Sequence, residues 1–218
     1  RTKKMTTGRI YCGEVWNVEC DAKGDALFSA LPQGGLAVDT SGVIVATGPE
    51  AELRRQFPEY AVTQFTSQII APTFVDAHVH FPQMDMIGCH GKQLLQWLEE
   101  YTFPTEMRYA DAAYARRQAT LFINELLASG VGTAAILSSS HYNATDELFA
   151  ASERSGIRAV IGKTSMNAHA PHALLVDEAE DLKQTRTLVE RWHERDNRLF
   201  YAVTPRFAPM CTDKLMHG

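Results

Sequence analysis

From residue 71 onward the chain alternates short apolar runs with stretches whose apolar residues recur every three or four positions. No other feature limits the fold as much, because a strand and an amphipathic helix need different periods. The apolar runs predict strands over 73–80, 132–137, 158–163 and 199–204. Between them "GKQLLQWLEEY", "DAAYARRQATLFINELLASG", "ATDELFAASERSG" and "EAEDLKQTRTLVERWHER" read as helices, the last carrying the "WHERD" run. Gly130 and Gly156 stand where left-handed helix ends are expected. Strand, helix and strand repeated in this way imply right-handed crossovers and a parallel sheet.

Upstream the texture differs. "RIYCGEVWNVEC", "GGLAVDTSGVIVATG" and "AVTQFTSQII" are β-rich pieces separated by Gly, Pro and charged turns. One short helix, "EAELRRQF", is entered at Pro49. The expected organisation is therefore a small β domain of the sandwich type over residues 1–70, followed by an α/β unit over 71–218.

Two architectures use repeated strand–helix units, the open doubly wound sheet and the (β/α)8 barrel. A dinucleotide-binding sheet needs a glycine-rich loop after its first strand, and that position reads "HFPQMDMIG". A barrel carries its chemistry on the C-terminal ends of several strands, which is where His78, His80, His141 and Arg206 fall. The barrel is the expected fold, with four of its strands visible.

Charge and composition narrow the ligand. The 218 residues carry a net charge of -5 and no basic run, which argues against nucleic acid and for a small ligand. No apolar span suggests a membrane helix. Cys12, Cys20, Cys89 and Cys211 form no Cys-x-x-Cys pair, so a reducing, cytoplasmic setting is expected. The four residues before Met5 are expected either to precede the natural start or to derive from a cloning vector.

The stretch "FVDAHVHFPQ" holds the densest chemistry. Alternation along a strand would put Asp76, His78 and His80 on one face and Val75, Ala77 and Val79 on the other. Two imidazoles on one strand face can bind one divalent metal, and Asp76 could orient one of them. The alternative is a pair of core histidines bonded to their neighbours. Pro82 and Gln83 break the strand directly after the pair.

"APTFVDAHVHFPQMDMIG" resembles the metal-binding signature of the amidohydrolase superfamily, and "HGKQLLQWLEEYTFPTE" resembles the guanine deaminases within it. "LLASGVGTAAIL", "VIGKTSMNAHAP" and "YAVTPRFAP" are similar to that family's second, third and fourth barrel strands. The resemblance runs from about residue 35 onward. It implies the N-terminal half of a (β/α)8 amidohydrolase barrel, preceded by a small β domain that relatives complete with C-terminal strands. It further implies that His78 and His80 bind Zn2+, that Gln83 contacts the purine, and that Arg206 with Phe207 contacts it from the opposite side. The implied reaction is hydrolysis of guanine to xanthine and ammonia, by a homodimer.

Physical chemistry makes these roles sensible. A guanidinium fork can engage the adjacent O6 and N7 acceptors of guanine, and a Gln amide can match a donor and an acceptor on another edge. An aromatic ring adds a stacking or edge contact. Taken alone, an Arg after a strand is usually a surface charge and a Phe is usually core. His141 in "SSSHYNATD" is a weaker candidate partner of the metal site, and His169 and His172 read as loop residues.

In the family the third zinc-binding His, the proton-shuttling Glu and a zinc-binding Asp come from later strands. The resemblance therefore places the catalytic Glu beyond Gly218 and about half of the active site within these residues, which are expected to be inactive alone. Two alternatives stay open: an amidohydrolase acting on another heterocycle, and a truncated chain with no catalytic role.

Overall fold

The computed structural model describes residues 7–217, so the expectation about Met5 and the residues before it lies outside the described residues. The chain divides into two compact units, Arg1–Pro72 and Thr73–Gly218.

The first unit contains strands β1 (Arg9–Cys20), β2 (Ala26–Val38) and β3 (Ile44–Pro49), helix α1 (Glu50–Gln56) and strand β4 (Ala61–Ile70). They form a single four-stranded sheet in the order β3-β2-β1-β4. Where a sandwich-type domain was expected, the unit holds one sheet and one helix, and among the described residues no second sheet faces it within the unit. Strand β1 runs antiparallel to β2 and parallel to β4. The β2–β3 turn is built by Asp39, whose Oδ1 accepts from the N–H groups of Ser41 and Val43, with Gly42 at φ +87°. Ile10, Cys12, Ala37 and Leu53 make a small core.

The second unit opens with β5 (Phe74–His80) and a 3-10 turn, Phe81–Met86, where Pro82 removes a donor and ends the strand. The expected helix over "GKQLLQWLEEY" is broken up: α2 (Leu94–Trp97) leads into a π turn, Leu98–Thr102, and then α3 (Phe103–Met107). Pro104 is the cause, since its ring cannot share space with a helical carbonyl four residues earlier and it has no N–H to offer.

The regular series follows as α4 (Ala112–Ala128), β6 (Val131–Leu137), α5 (Tyr142–Ser155), β7 (Arg158–Gly162), the two-residue β8 (Thr164–Ser165), α6 (Glu178–Trp192), β9 (Leu199–Tyr201) and β10 (Thr204–Pro205). Asp111 and Asp177 cap α4 and α6 by accepting two backbone N–H bonds each. Gly156 ends α5 at φ +82°.

Strands β5, β6, β7 and β9 pair in parallel and in chain order. A doubly wound sheet reverses its order at a switch point; this one does not, as expected for consecutive strands of a barrel. Helices α4, α5 and α6 bury Phe122, Ile123, Leu148, Phe149 and Leu188 with Ala134, Ile136, Ala159 and Ile161 of the sheet. Phe149 stacks on Trp192 with ring centroids 5.4 Å apart.

Two expectations need correction at the end of the series. The fourth strand stops at Tyr201, not at 204, and Thr204–Pro205 pairs with β8 in a separate ribbon. Thr204 Oγ1 donates to Lys163 O at 2.8 Å, which draws the chain sideways, and Pro205 has no N–H for the main ladder. The "WHERD" run is not helical throughout: α6 ends at Trp192, and Glu194, Asp196 and Asn197 all have positive φ.

Candidate active site

His78 and His80 occupy the C-terminal end of β5, with their Nε2 atoms 3.1 Å apart. Two imidazole nitrogens at that distance need one shared proton or one shared cation. Burial, then the Arg206 guanidinium, then His78 pull His80 down to about 4, so its ring is neutral at neutral pH, the form a metal requires. The pair thus fits a divalent metal as two of its donors. Among the described residues no group of three or more His, Cys, Asp or Glu side chains converges to complete a site.

Asp76 does not play the part that alternation assigned to it. Its Oδ1 accepts from the main-chain N–H of His78 at 3.1 Å, and it bonds to no imidazole among the described residues. The reason lies in the register. Asp76 pairs with Ala134 and His80 with Leu137, three positions apart on β6 and therefore on opposite faces. A slip between Asp76 and Val79 interrupts the alternation.

Gln83 lies in the turn just after the pair, its Nε2 3.3 Å from His80 Nδ1 and 3.1 Å from Glu106 Oε1. The second oxygen of Glu106 accepts from Arg206 Nη1 at 2.6 Å. Glu106 is 1% exposed and the Arg206 side chain 8%. The order His78, His80, Gln83, Glu106, Arg206 is thus one continuous polar chain drawn from β5, the 3-10 turn after it, α3 and the residue after β10. Because a carboxylate only accepts, Glu106 fixes the Gln83 amide with Nε2 towards itself. Gln83 Oε1 then has no partner among the described residues.

Arg206 is held at its backbone as well. Its N–H donates to Ser165 O at 3.0 Å, continuing the β8–β10 ribbon. Phe207 follows in extended conformation, 46% exposed. A cavity of about 560 Å³ is lined by His78, His80 and Gln83 together with Met86, Trp97 and Phe122, while Glu106, Arg206 and Phe207 are not among its lining residues. That volume is in the range of small-molecule sites.

His141 is elsewhere. It lines a different cleft with Ser140 and Glu180, its Nε2 buried without a partner among the described residues, and burial with nearby Lys163 lowers its pKa. His169 has φ 53° and His172 opens a single 3-10 turn, so neither is presented by a regular helix.

Glu106 is the residue to which sequence reasoning assigned no role. A signal existed: Phe103 and Glu106 are i,i+3 on the buried side of α3, and a buried carboxylate calls for a buried cation. That cation lies 100 positions away.

A parallel sheet in chain order, with an imidazole pair closing its first strand and an ion pair supporting the next turn, is the arrangement of a (β/α)-barrel enzyme site. The amidohydrolase family model matches residues 69–218, and the chain belongs to that family. The guanine deaminase of Escherichia coli K12 is 39% identical over 185 residues, 84% of this chain and 42% of that protein. A probable guanine deaminase of Deinococcus radiodurans is 36% identical over 196 residues, 88% of this chain and 44% of that protein. Among solved structures, the E. coli guanine deaminase superposes with a TM-score of 0.89 at 35% identity, over 95% of this chain and 49% of the other. A C. acetobutylicum guanine deaminase with guanine bound in its active site superposes with a TM-score of 0.86 at 27% identity, over 96% and 48%. The chain spans about half the length of the relatives it matches.

Proposed function

We propose that the protein carrying this chain is a zinc-dependent guanine deaminase, hydrolysing guanine to xanthine and ammonia. The observation that carries the reading is the bridge from Gln83 through Glu106 to Arg206, directly beside the imidazole pair. It brings the two side chains suited to a purine's hydrogen-bonding edges to one carboxylate.

His78 and His80 would hold the zinc ion through their converging Nε2 atoms; His80 Nδ1 would then carry its proton, so Gln83 Nε2 would keep its bond to Glu106 and give up the one to His80. Bound there, zinc supplies a Lewis acid that lowers the pKa of a water towards neutrality. Arg206 retains N–H donors beyond the one given to Glu106 and offers them to O6 and N7 of the base. Gln83 offers its Oε1, which has no partner among the described residues, to a ring or amino N–H. Phe207, half-exposed beside Arg206, adds an aromatic contact. Asp76 steadies the main chain at His78, between the metal-binding residues and the strand below them. Proton transfer to the departing ammonia is assigned to none of these residues.

All four cysteines are free, in keeping with a reducing cytoplasmic setting. The family resemblance adds a homodimer to this reading. No helix among the described residues is long and apolar enough to cross a membrane.

The test is xanthine formation from guanine by the full-length protein with added zinc, against a His78→Ala control. Xanthine above the control supports the reading. Its absence, in a folded and zinc-loaded protein that instead hydrolyses another heterocycle, overturns the substrate assignment and leaves the family.

A further inference from the structure

The base-binding end of the site contains a cation, and a cation should favour anions. Yet the site's proposed product, xanthine, loses a ring proton close to neutrality, whereas guanine stays uncharged there. An unpaired Arg206 would hold the product more tightly than the substrate.

Glu106 removes that bias. Its Oε2 lies 2.6 Å from Arg206 Nη1, with both side chains nearly inaccessible, so screening by water is weak and the pair is formally neutral. Its Oε1 takes Gln83 Nε2 at 3.1 Å, so both purine-contacting side chains are tied to one negative charge. The other titratable groups around the pair are the neutral imidazole of His80, which feels Arg206, and the buried phenol of Tyr109, which feels Glu106. Neither side chain brings a compensating positive charge, and the charge of a zinc ion held by His78 and His80 would be common to the wild type and to a variant changed only at Glu106. An anionic base placed against Arg206 would meet the Glu106 carboxylate immediately behind it, while a neutral base meets donors whose charge is already balanced.

We propose that Glu106 is a specificity-determining residue: by neutralising Arg206 and fixing Gln83, it makes the site select an uncharged purine over an anionic one, and so disfavours retention of xanthine. This rests on the reading of Arg206 and Gln83 as base contacts. It adds a charge rule to the hydrogen-bond match, since repulsion of the wrong ligand confers specificity as effectively as attraction of the right one.

The experiment compares hypoxanthine and xanthine as ligands of the full-length protein, by equilibrium binding at one mildly alkaline pH. Hypoxanthine is then largely neutral and xanthine largely anionic, while both present the O6 and N7 edge. The wild type is expected to prefer hypoxanthine. Glu106→Gln keeps an acceptor for Arg206 but drops the charge, and should swing the ratio towards xanthine by about tenfold or more. Glu106→Asp keeps the charge and should keep the preference. An equal loss of affinity for both ligands in Glu106→Gln means a merely structural role and overturns the proposal. Should that variant fail to fold, the wild type decides: xanthine bound as tightly as hypoxanthine, or more so, overturns it. A wild type that converts guanine yet shows no charge preference removes this inference alone. One that prefers hypoxanthine without converting guanine removes the functional reading alone, and one that neither converts guanine nor binds either base removes both.

Discussion

Lys163 Nζ lies 2.5 Å from Asp181 Oδ1, and neither side chain is more than 2% exposed. The pair joins the end of β7 to the first turn of α6, and Ser165 Oγ donates to the other Asp181 oxygen at 2.7 Å. Burial pulls the lysine pKa down and Asp181 pulls it up, so the ammonium depends on its partner. Asp181→Leu alone should cost about 3–5 kcal/mol in urea unfolding, because it strands a charge. Adding Lys163→Met should recover most of that loss. A double variant no more stable than the single one would show that the pair's hydrogen bonds, not its charges, hold the junction.

The metal-free protein should lose stability as the pH falls from about 6.5 towards 4. His80 is held at about 4 in the fold, below the ordinary histidine value of about 6.5, so protons bind the unfolded chain more strongly in that window. Its contribution is fully present above the upper value and lost as the pH drops towards the lower. His141, lowered by burial and by Lys163, acts with the same sign. His80→Asn should therefore flatten the slope of stability against pH without abolishing it. An unchanged slope in chemical denaturation would remove His80 from this account.

Gly156→Ala should destabilise the second unit by about 1–2 kcal/mol, the cost of a left-handed conformation for a residue with a side chain. Gly156 sits at φ +82°, and a Cβ there would stand 3.0 Å from Arg198 Nη1. Gly156→Asn should cost less, since asparagine tolerates this region better. Thermal melts of the two variants give the comparison, and equal losses would point to the Arg198 contact, not the backbone.

Zinc affinity should fall by more than about tenfold in His78→Ala and in His80→Ala, since each variant loses one ligand of the pair. Asp76→Asn should have a much smaller effect, since the Asp76 carboxylate accepts from the backbone N–H of His78 and bonds to no imidazole among the described residues. Competition against a chromogenic chelator measures all three. A large effect of Asp76→Asn would mean that it reaches the imidazoles once metal is bound.

Much of the second unit was legible because long periodic segments report their own burial. Helices α4, α5 and α6 and the first three strands of the sheet lie within a few residues of the ranges read from the pattern. What failed were the places where a distant residue decides. Pro104 converts an apparently continuous helix into α2, a π turn and α3, and Thr204 leaves the main sheet because Lys163 O holds its hydroxyl. Gln83 and Arg206 could be singled out from local motifs. Their connection through Glu106 spans 23 and 100 positions, and no local pattern encodes it.

The pairing of β5 with β6 contains two slips that cancel. Phe74 faces Val131 and His80 faces Leu137 with the same offset, while Val75 and Asp76 are displaced by one. The anomaly is therefore confined to the middle of the strand, and the parity of its two ends is preserved. A one-residue insertion or deletion at the Ala77–His78 step would convert this compensated defect into a net phase error, turning His80 from one face of the sheet to the other. The imidazole pair depends less on strand length than on an even count of errors.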